Sequence, residues 1–108
     1  MSTLVEVTKD NVEFEVKNSS LPVLLDFWGP RCGPCMVLMP TVEELAVKYA
    51  DKMKFCKVNT AENRRLAIEL KVMSLPSFLF FRDGQEVARL QGKFGAAEIE
   101  GQIRTTLG

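Results

Sequence analysis

Apolar and polar positions change their period several times along the chain, and each change marks an element. Val5 and Val7 alternate with polar neighbours as in a short strand, and Thr8 is a fitting N-cap for a helix over roughly residues 9 to 18. Val23-Leu24-Leu25-Asp26-Phe27-Trp28 is nearly continuous in apolar residues, the mark of a strand covered on both faces of a mostly parallel sheet, and a single carboxylate interrupts it. After Gly29-Pro30-Arg31-Cys32-Gly33 comes Pro34, a favourable early helical residue. Leu38, Val42, Leu45, Ala46 and Tyr49 follow at helical spacing, with Pro40 inside that helix as an expected kink. Lys54-Phe55-Cys56-Lys57-Val58 alternates as a strand, and Leu66, Ala67 and Leu70 support a short helix that exposes Arg64 and Arg65 to solvent. Ser77-Phe78-Leu79-Phe80-Phe81 and Glu86-Val87-Ala88-Arg89-Leu90 flank Asp83-Gly84, a strong antiparallel hairpin signal. Gly95 caps a last helix, with Glu98 at its third position and Ile99, Ile103 and Leu107 on one face.

The predicted order is β-α-β-α-β-α-β-β-α, and alternation followed by a terminal hairpin implies an α/β fold: a mixed sheet of about five strands with helices on both faces. No repeat appears, and Asn18-Ser19-Ser20 is too short for a linker, so residues 1–108 read as a single domain. Composition agrees, with 46% hydrophobic and 26% charged residues in 108. A chain of this size buries about two thirds of its unfolded surface, so its three cysteines are not required as a scaffold. Lys plus Arg and Asp plus Glu are 14 each, which leaves no basic excess for nucleic acid. Met1 to Glu6 lacks a positive leader region, and Leu21 to Leu25 and Leu75 to Phe81 are too short to span a bilayer. The expectation is a cytoplasmic protein without membrane attachment. Thiols there stay reduced, and cysteines are more often catalytic, redox-sensing or metal-binding than structural.

Cys32-Gly33-Pro34-Cys35 carries the strongest chemical signal. Two thiols three residues apart at a helix start lie on one face, with Cβ atoms about 5 to 6 Å apart, and a disulfide needs about 3.8 Å, so modest tightening closes it. As a staple it is weak, since so small a ring is worth roughly 2 kcal/mol against about 4.7 for a loop of a hundred residues. Reversible oxidation explains it better. The helix N-terminus favours the thiolate, which makes Cys32 the attacking sulfur, and Cys35, one turn deeper, is set to resolve a mixed disulfide. Haem attachment would require a His after the second cysteine, where Met36 stands, and zinc in a His-free chain with only Cys56 to spare would require carboxylates or a second chain. No metal is expected. Cys56, in mid-strand, reads as a small core hydrophobe.

Asp26 in a buried strand should have a raised pKa, because burial penalises the charged form. The functional reading is that it accepts or relays the proton of Cys35 when that thiol attacks the mixed disulfide, and the competing reading is a structural carboxylate paired with Lys57. Pro76 stands where a sheet tolerates proline, at a strand start.

Asp26-Phe27-Trp28 before Cys32-Gly33-Pro34-Cys35, together with Pro40, Lys57, Leu75-Pro76 and Asp83-Gly84 leading to Gly92, resembles the thioredoxin family over essentially the whole chain. The resemblance implies the thioredoxin-like fold and a thiol-disulfide oxidoreductase that reduces protein disulfides and is recycled by thioredoxin reductase or an equivalent donor, with no bound cofactor. It implies a cis Leu75-Pro76 bond beside the thiols, which leaves the Leu75 backbone free to pair with an extended substrate. Trp28 and Gly92 line the same groove by resemblance, Gly33 and Pro34 complete the motif, and the expected species is a monomer. Two positions depart from the family pattern. Arg31 stands where Trp is usual and Met36 where Lys or Arg is usual, which replaces a flat aromatic surface beside Cys32 with a guanidinium suited to acidic partners. The alternative function class is a binding module that uses the groove and not the thiols, and turnover of a model disulfide separates the two.

Overall fold

The computed structural model describes residues 3–108; Met1 and Ser2, part of the N-terminal segment read above for a leader, lie outside the described residues. Five strands form one sheet in the order β1-β3-β2-β4-β5. They are β1 (Val5–Glu6), β2 (Val23–Trp28), β3 (Lys54–Asn59), β4 (Ser77–Arg82) and β5 (Gln85–Gln91). β3 pairs parallel with both β1 and β2, whereas β2–β4 and β4–β5 are antiparallel, so the sheet is mixed as expected. Asp83 and Gly84 both take positive φ, 54° and 78°, in the two-residue turn that joins β4 to β5. A side chain at Gly84 would also meet the Lys17 carbonyl oxygen at 2.6 Å.

Period-2 alternation on β2 divides the core into two layers. Leu24 packs with Val42, Leu45, Phe78, Ile99 and Ile103 against helices α1 (Gly33–Lys48) and α3 (Ala96–Leu107). Val23, Leu25 and Phe27 face the other way, packing with Val16, Cys56, Leu66 and Leu79 under α2 (Arg64–Glu69). α1 runs through Pro40, which lacks the N–H that would bond back to Met36. α3 starts at Gly95, whose N–H donates to Glu98 Oε1 at 2.8 Å.

The helix expected over residues 9 to 18 is shorter and of a different kind, a π-helical segment at Glu13–Lys17. Side chains hold the chain before it in a turn: the Asp10 N–H donates to Thr8 Oγ1, the Thr8 N–H to Asn11 Oδ1, and Asn11 Nδ2 to the Glu6 carbonyl. Thr8 thus caps the segment as expected, and helical bonds follow from the Val12 N–H to the Thr8 carbonyl at 3.0 Å and from the Glu15 N–H to the Asn11 carbonyl at 2.8 Å. The segment closes with the Asn18 N–H on the Glu13 carbonyl, five residues back.

Candidate active site

β2 delivers the chain to the site and α1 receives it. At the end of β2 the Trp28 carbonyl accepts the Thr60 N–H at 2.9 Å and the Thr60 hydroxyl at 2.7 Å, which ties the strand end to the connection between β3 and α2. Gly29 is buried there, and a Cβ on it would stand 3.2 Å from Leu75 Cδ1, so glycine lets the chain leave the strand close under the segment before β4. The turn closes with the Cys32 N–H on the Gly29 carbonyl at 3.0 Å.

Cys32 is the N-cap of α1, and its Sγ accepts the Cys35 N–H at 3.2 Å. Gly33 and Pro34 form the first helical positions, and Pro34 lacks an N–H where the helix would leave one unpaired. The two sulfurs are joined, with S–S 2.13 Å and Cα–Cα 5.3 Å. Cys32 is partly exposed while Cys35 is 2% exposed, so the pair presents one sulfur outward and one inward.

Asp26 lies on the sheet face covered by α1, the helix that carries Cys35, on the same side of β2 as Leu24. Burial pushes its carboxyl up to about 7, and the Lys57 charge opposes that rise without cancelling it. Lys57 is its register partner on β3, yet no contact ion pair joins them among the described residues. The Lys57 ammonium instead stands 5.9 Å from the centroid of the Trp28 ring. Among the described residues none hydrogen-bonds to the buried Asp26 Oδ1 or Trp28 Nε1. A fold that retains an unpaired carboxylate oxygen next to the redox helix keeps an acceptor available for a proton.

A cavity of about 970 Å³ opens beside Cys32. Arg31 and Cys32 form one wall, Arg64 and Ile68 of α2 another, and Met73 and Leu75 a third. The Leu75–Pro76 peptide bond is cis, as the family pattern implied. No backbone hydrogen bond engages Leu75 among the described residues. Trp28 and Gly92 do not line this cavity. Gly92 is exposed with φ at +83°, and a Cβ there would meet open space, so its requirement for glycine comes from backbone conformation.

Cys56 is fully buried on the opposite sheet face, and burial pushes its thiol up to about 12. Among the described residues no group of three or more His, Cys, Asp or Glu side chains is placed to hold a metal ion, and no helix is long and apolar enough to cross a membrane.

With this geometry in view, the chain matches the family model for thioredoxin over residues 3–105. The chain belongs to the thioredoxin family. It is 45% identical over 92 residues to thioredoxin 1 of Synechococcus elongatus, covering 85% of this chain and 86% of that one. It is 39% identical over 99 residues to a thioredoxin of Haemophilus influenzae, covering 92% of each, and 37% identical over 102 residues to a thioredoxin of Acetoanaerobium sticklandii, covering 94% and 97%. Family membership and the joined Cys32–Cys35 pair make this thioredoxin-family chain a dithiol-disulfide oxidoreductase. Membership also implies disulfide-bearing substrates and a reductase as electron donor.

Of the positions singled out in the sequence, the structure groups Arg31, Cys32 and Leu75 on one cavity, and sets Asp26, Trp28 and Lys57 together beneath α1. Sequence reasoning missed the α2 side of the cavity, Arg64 and Ile68, and Met73 beyond it. One signal for it was legible. Ile68 falls off the buried face defined by Leu66, Ala67 and Leu70, and it is 73% exposed.

Proposed function

We propose that the chain acts as a single domain which reduces protein disulfides, with Cys32 as the attacking thiolate and Cys35 as the resolving thiol. The observation that carries the assignment is the asymmetry of exposure, Cys32 partly open at the cavity and Cys35 buried behind it. In the reduced protein the Cys32 thiolate attacks one sulfur of a substrate disulfide; a Cys32–substrate bond forms, the substrate bond breaks, and the first substrate thiolate leaves and takes a proton from water. Cys35 then gives its proton to Asp26 and attacks Cys32 Sγ. The Cys32–Cys35 bond forms as the second substrate thiolate departs. That thiolate takes a proton from water and Asp26 releases its own to water, so two electrons have passed from the protein to the substrate with the protons balanced through solvent, and a separate reductase, thioredoxin reductase or an equivalent, restores the dithiol.

Supporting roles follow from what each residue touches. Gly33 and Pro34 hold the two sulfurs at the helix start, and Lys57 moderates the Asp26 pKa. Pro76 fixes the chain at the head of β4, which leaves the unengaged Leu75 backbone to pair with an extended substrate in a manner largely blind to sequence. Arg31 lines the cavity beside that contact, and Trp28 and Gly92 are assigned to its rim by family resemblance alone. The protein works as a monomer in the cytoplasm, where reducing conditions sustain the dithiol, and it uses neither metal nor bound cofactor; the supporting observations are its family membership and its exclusively thiol chemistry.

Two variants test the assignment. Cys32→Ser abolishes reduction of a model protein disulfide, while Cys35→Ser still attacks and accumulates substrate as a mixed disulfide on Cys32, read by mass spectrometry. Substrate captured on Cys35 in the first variant, with none on Cys32 in the second, reverses the roles.

A further inference from the structure

Arg31 and Arg64 reach the same cavity from separate elements, one from the turn after β2 and one from the first position of α2. Both are exposed, and no ion pair joins either to another described residue. The cavity has no acidic side chain in its lining, although the chain as a whole carries equal numbers of acids and bases. Glu62, close to Arg64 in sequence, lines a neighbouring depression that Arg64 also borders, together with Arg65 and Lys9, and it makes no ion pair with Arg64. Within the cavity beside Cys32 the lining therefore carries positive charge and no acid. The same cavity carries apolar surface left open to solvent, with Ile68 73% and Met73 89% exposed.

We propose that Arg31 and Arg64 make this cavity selective for disulfide-bearing segments that carry a carboxylate next to the reacting cystine, with Ile68 and Met73 covered by the same segment. The proposal rests on the disulfide-reductase reading of the site. An extended segment advances about 3.3 Å per residue, so a carboxylate one or two positions from the cysteine under attack stays within about 7 Å of it, on the scale of the cavity mouth. A guanidinium suits such a partner because it is always charged and meets a carboxylate through two parallel hydrogen bonds. Arg64 looks like an ordinary solvated residue on a short amphipathic helix. Only the packing of α2 beside the turn after β2 brings it to the nucleophile.

The test uses the reduced full-length protein and two cyclic peptides, each closed by one internal disulfide and identical except for Asp or Asn on both sides of one cysteine. Reduction rates are read by acid quench and chromatography and normalised to the rates with dithiothreitol, which removes the intrinsic difference between the peptides. An exposed charge pair is worth up to about fivefold, so the expected acidic preference is roughly three- to tenfold at low salt, shrinking as salt screens it. Arg64→Gln and Arg31→Gln each lower that ratio, and the double variant brings it to about one. Arg65→Gln removes the same charge from the same helix outside the cavity, and it leaves the ratio in place. A wild-type ratio near one, an Arg64→Gln variant that slows both peptides alike, or an Arg65→Gln effect equal to that of Arg64→Gln overturns the proposal. Failure to reduce either peptide would instead contradict the reductase reading itself.

Discussion

The two faces of the sheet each bury one ionisable group on a central strand, Asp26 on β2 under α1 and Cys56 on β3 under the opposite layer. Desolvation is the largest influence on both, and it raises both pKa values. The outcomes differ because the starting points differ. The carboxyl rises from 3.8 to about 7, into the range where it exchanges protons at neutral pH, whereas the thiol rises from 9.0 to about 12 and stays protonated. Burial brings one group into the neutral titration range and takes the other out of it. Their neighbourhoods reinforce the contrast, since Asp26 shares its face with the helix that starts at the disulfide and keeps one oxygen unpartnered, while Cys56 is packed among Val7, Leu25, Val58 and Leu79.

The largest effect that can break this contrast is on Asp26. Its folded pKa lies above its unfolded one, so the native state binds the proton more tightly, and stability falls as pH rises from about 4 to about 7. A shift of that size corresponds to a loss on the order of 4 kcal/mol across the window, with no further change above it. Asp26→Ala should remove this slope in denaturant titrations run from pH 4 to 8, and should slow turnover roughly tenfold to a hundredfold through loss of the proton acceptor. An alanine variant with the wild-type slope would show that the carboxyl is not desolvated.

Lys57→Met sharpens the same side of the comparison. Lys57 holds the Asp26 pKa down, so its removal should move the midpoint of the carboxyl above about 7, read by NMR titration of the carboxyl carbon. A midpoint that stays or falls would remove Lys57 from the site. Cys56→Ala is the smallest perturbation of function: turnover should stay within about twofold of wild type, with a stability loss of roughly 1–2 kcal/mol from the missing sulfur in a packed layer. A large fall in turnover without unfolding would give Cys56 a chemical role.

How far the sequence discloses this arrangement depends on whether the determinant is local. The Cys32–Cys35 spacing, the apolar strand broken by Asp26 and the Asp83-Gly84 hairpin are local patterns, and each is found where the pattern predicts. The π-helical segment at Glu13–Lys17 is local too, but the change to a bond spanning five residues, from the Asn18 N–H to the Glu13 carbonyl, is invisible to a count of apolar positions. Tertiary placement accounts for the rest. Asp26 faces Lys57 because β2 and β3 pair in one particular parallel register, and Arg64 meets the cavity because α2 packs beside the turn after β2. Neither register nor loop path has a signature in residue spacing.

The claim that Asp26 serves Cys35 is tested most directly by the rate at which a mixed disulfide on Cys32 is resolved, measured in single turnover between pH 5 and 9 in the wild type and in Asp26→Asn. The wild-type rate should rise through a limb near pH 7 as the carboxyl becomes able to accept a proton, and the variant should lose that limb and keep only the rise that follows ionisation of Cys35 itself. Superimposable profiles would contradict the account, because a buried carboxylate that leaves the resolving step unchanged takes no part in it.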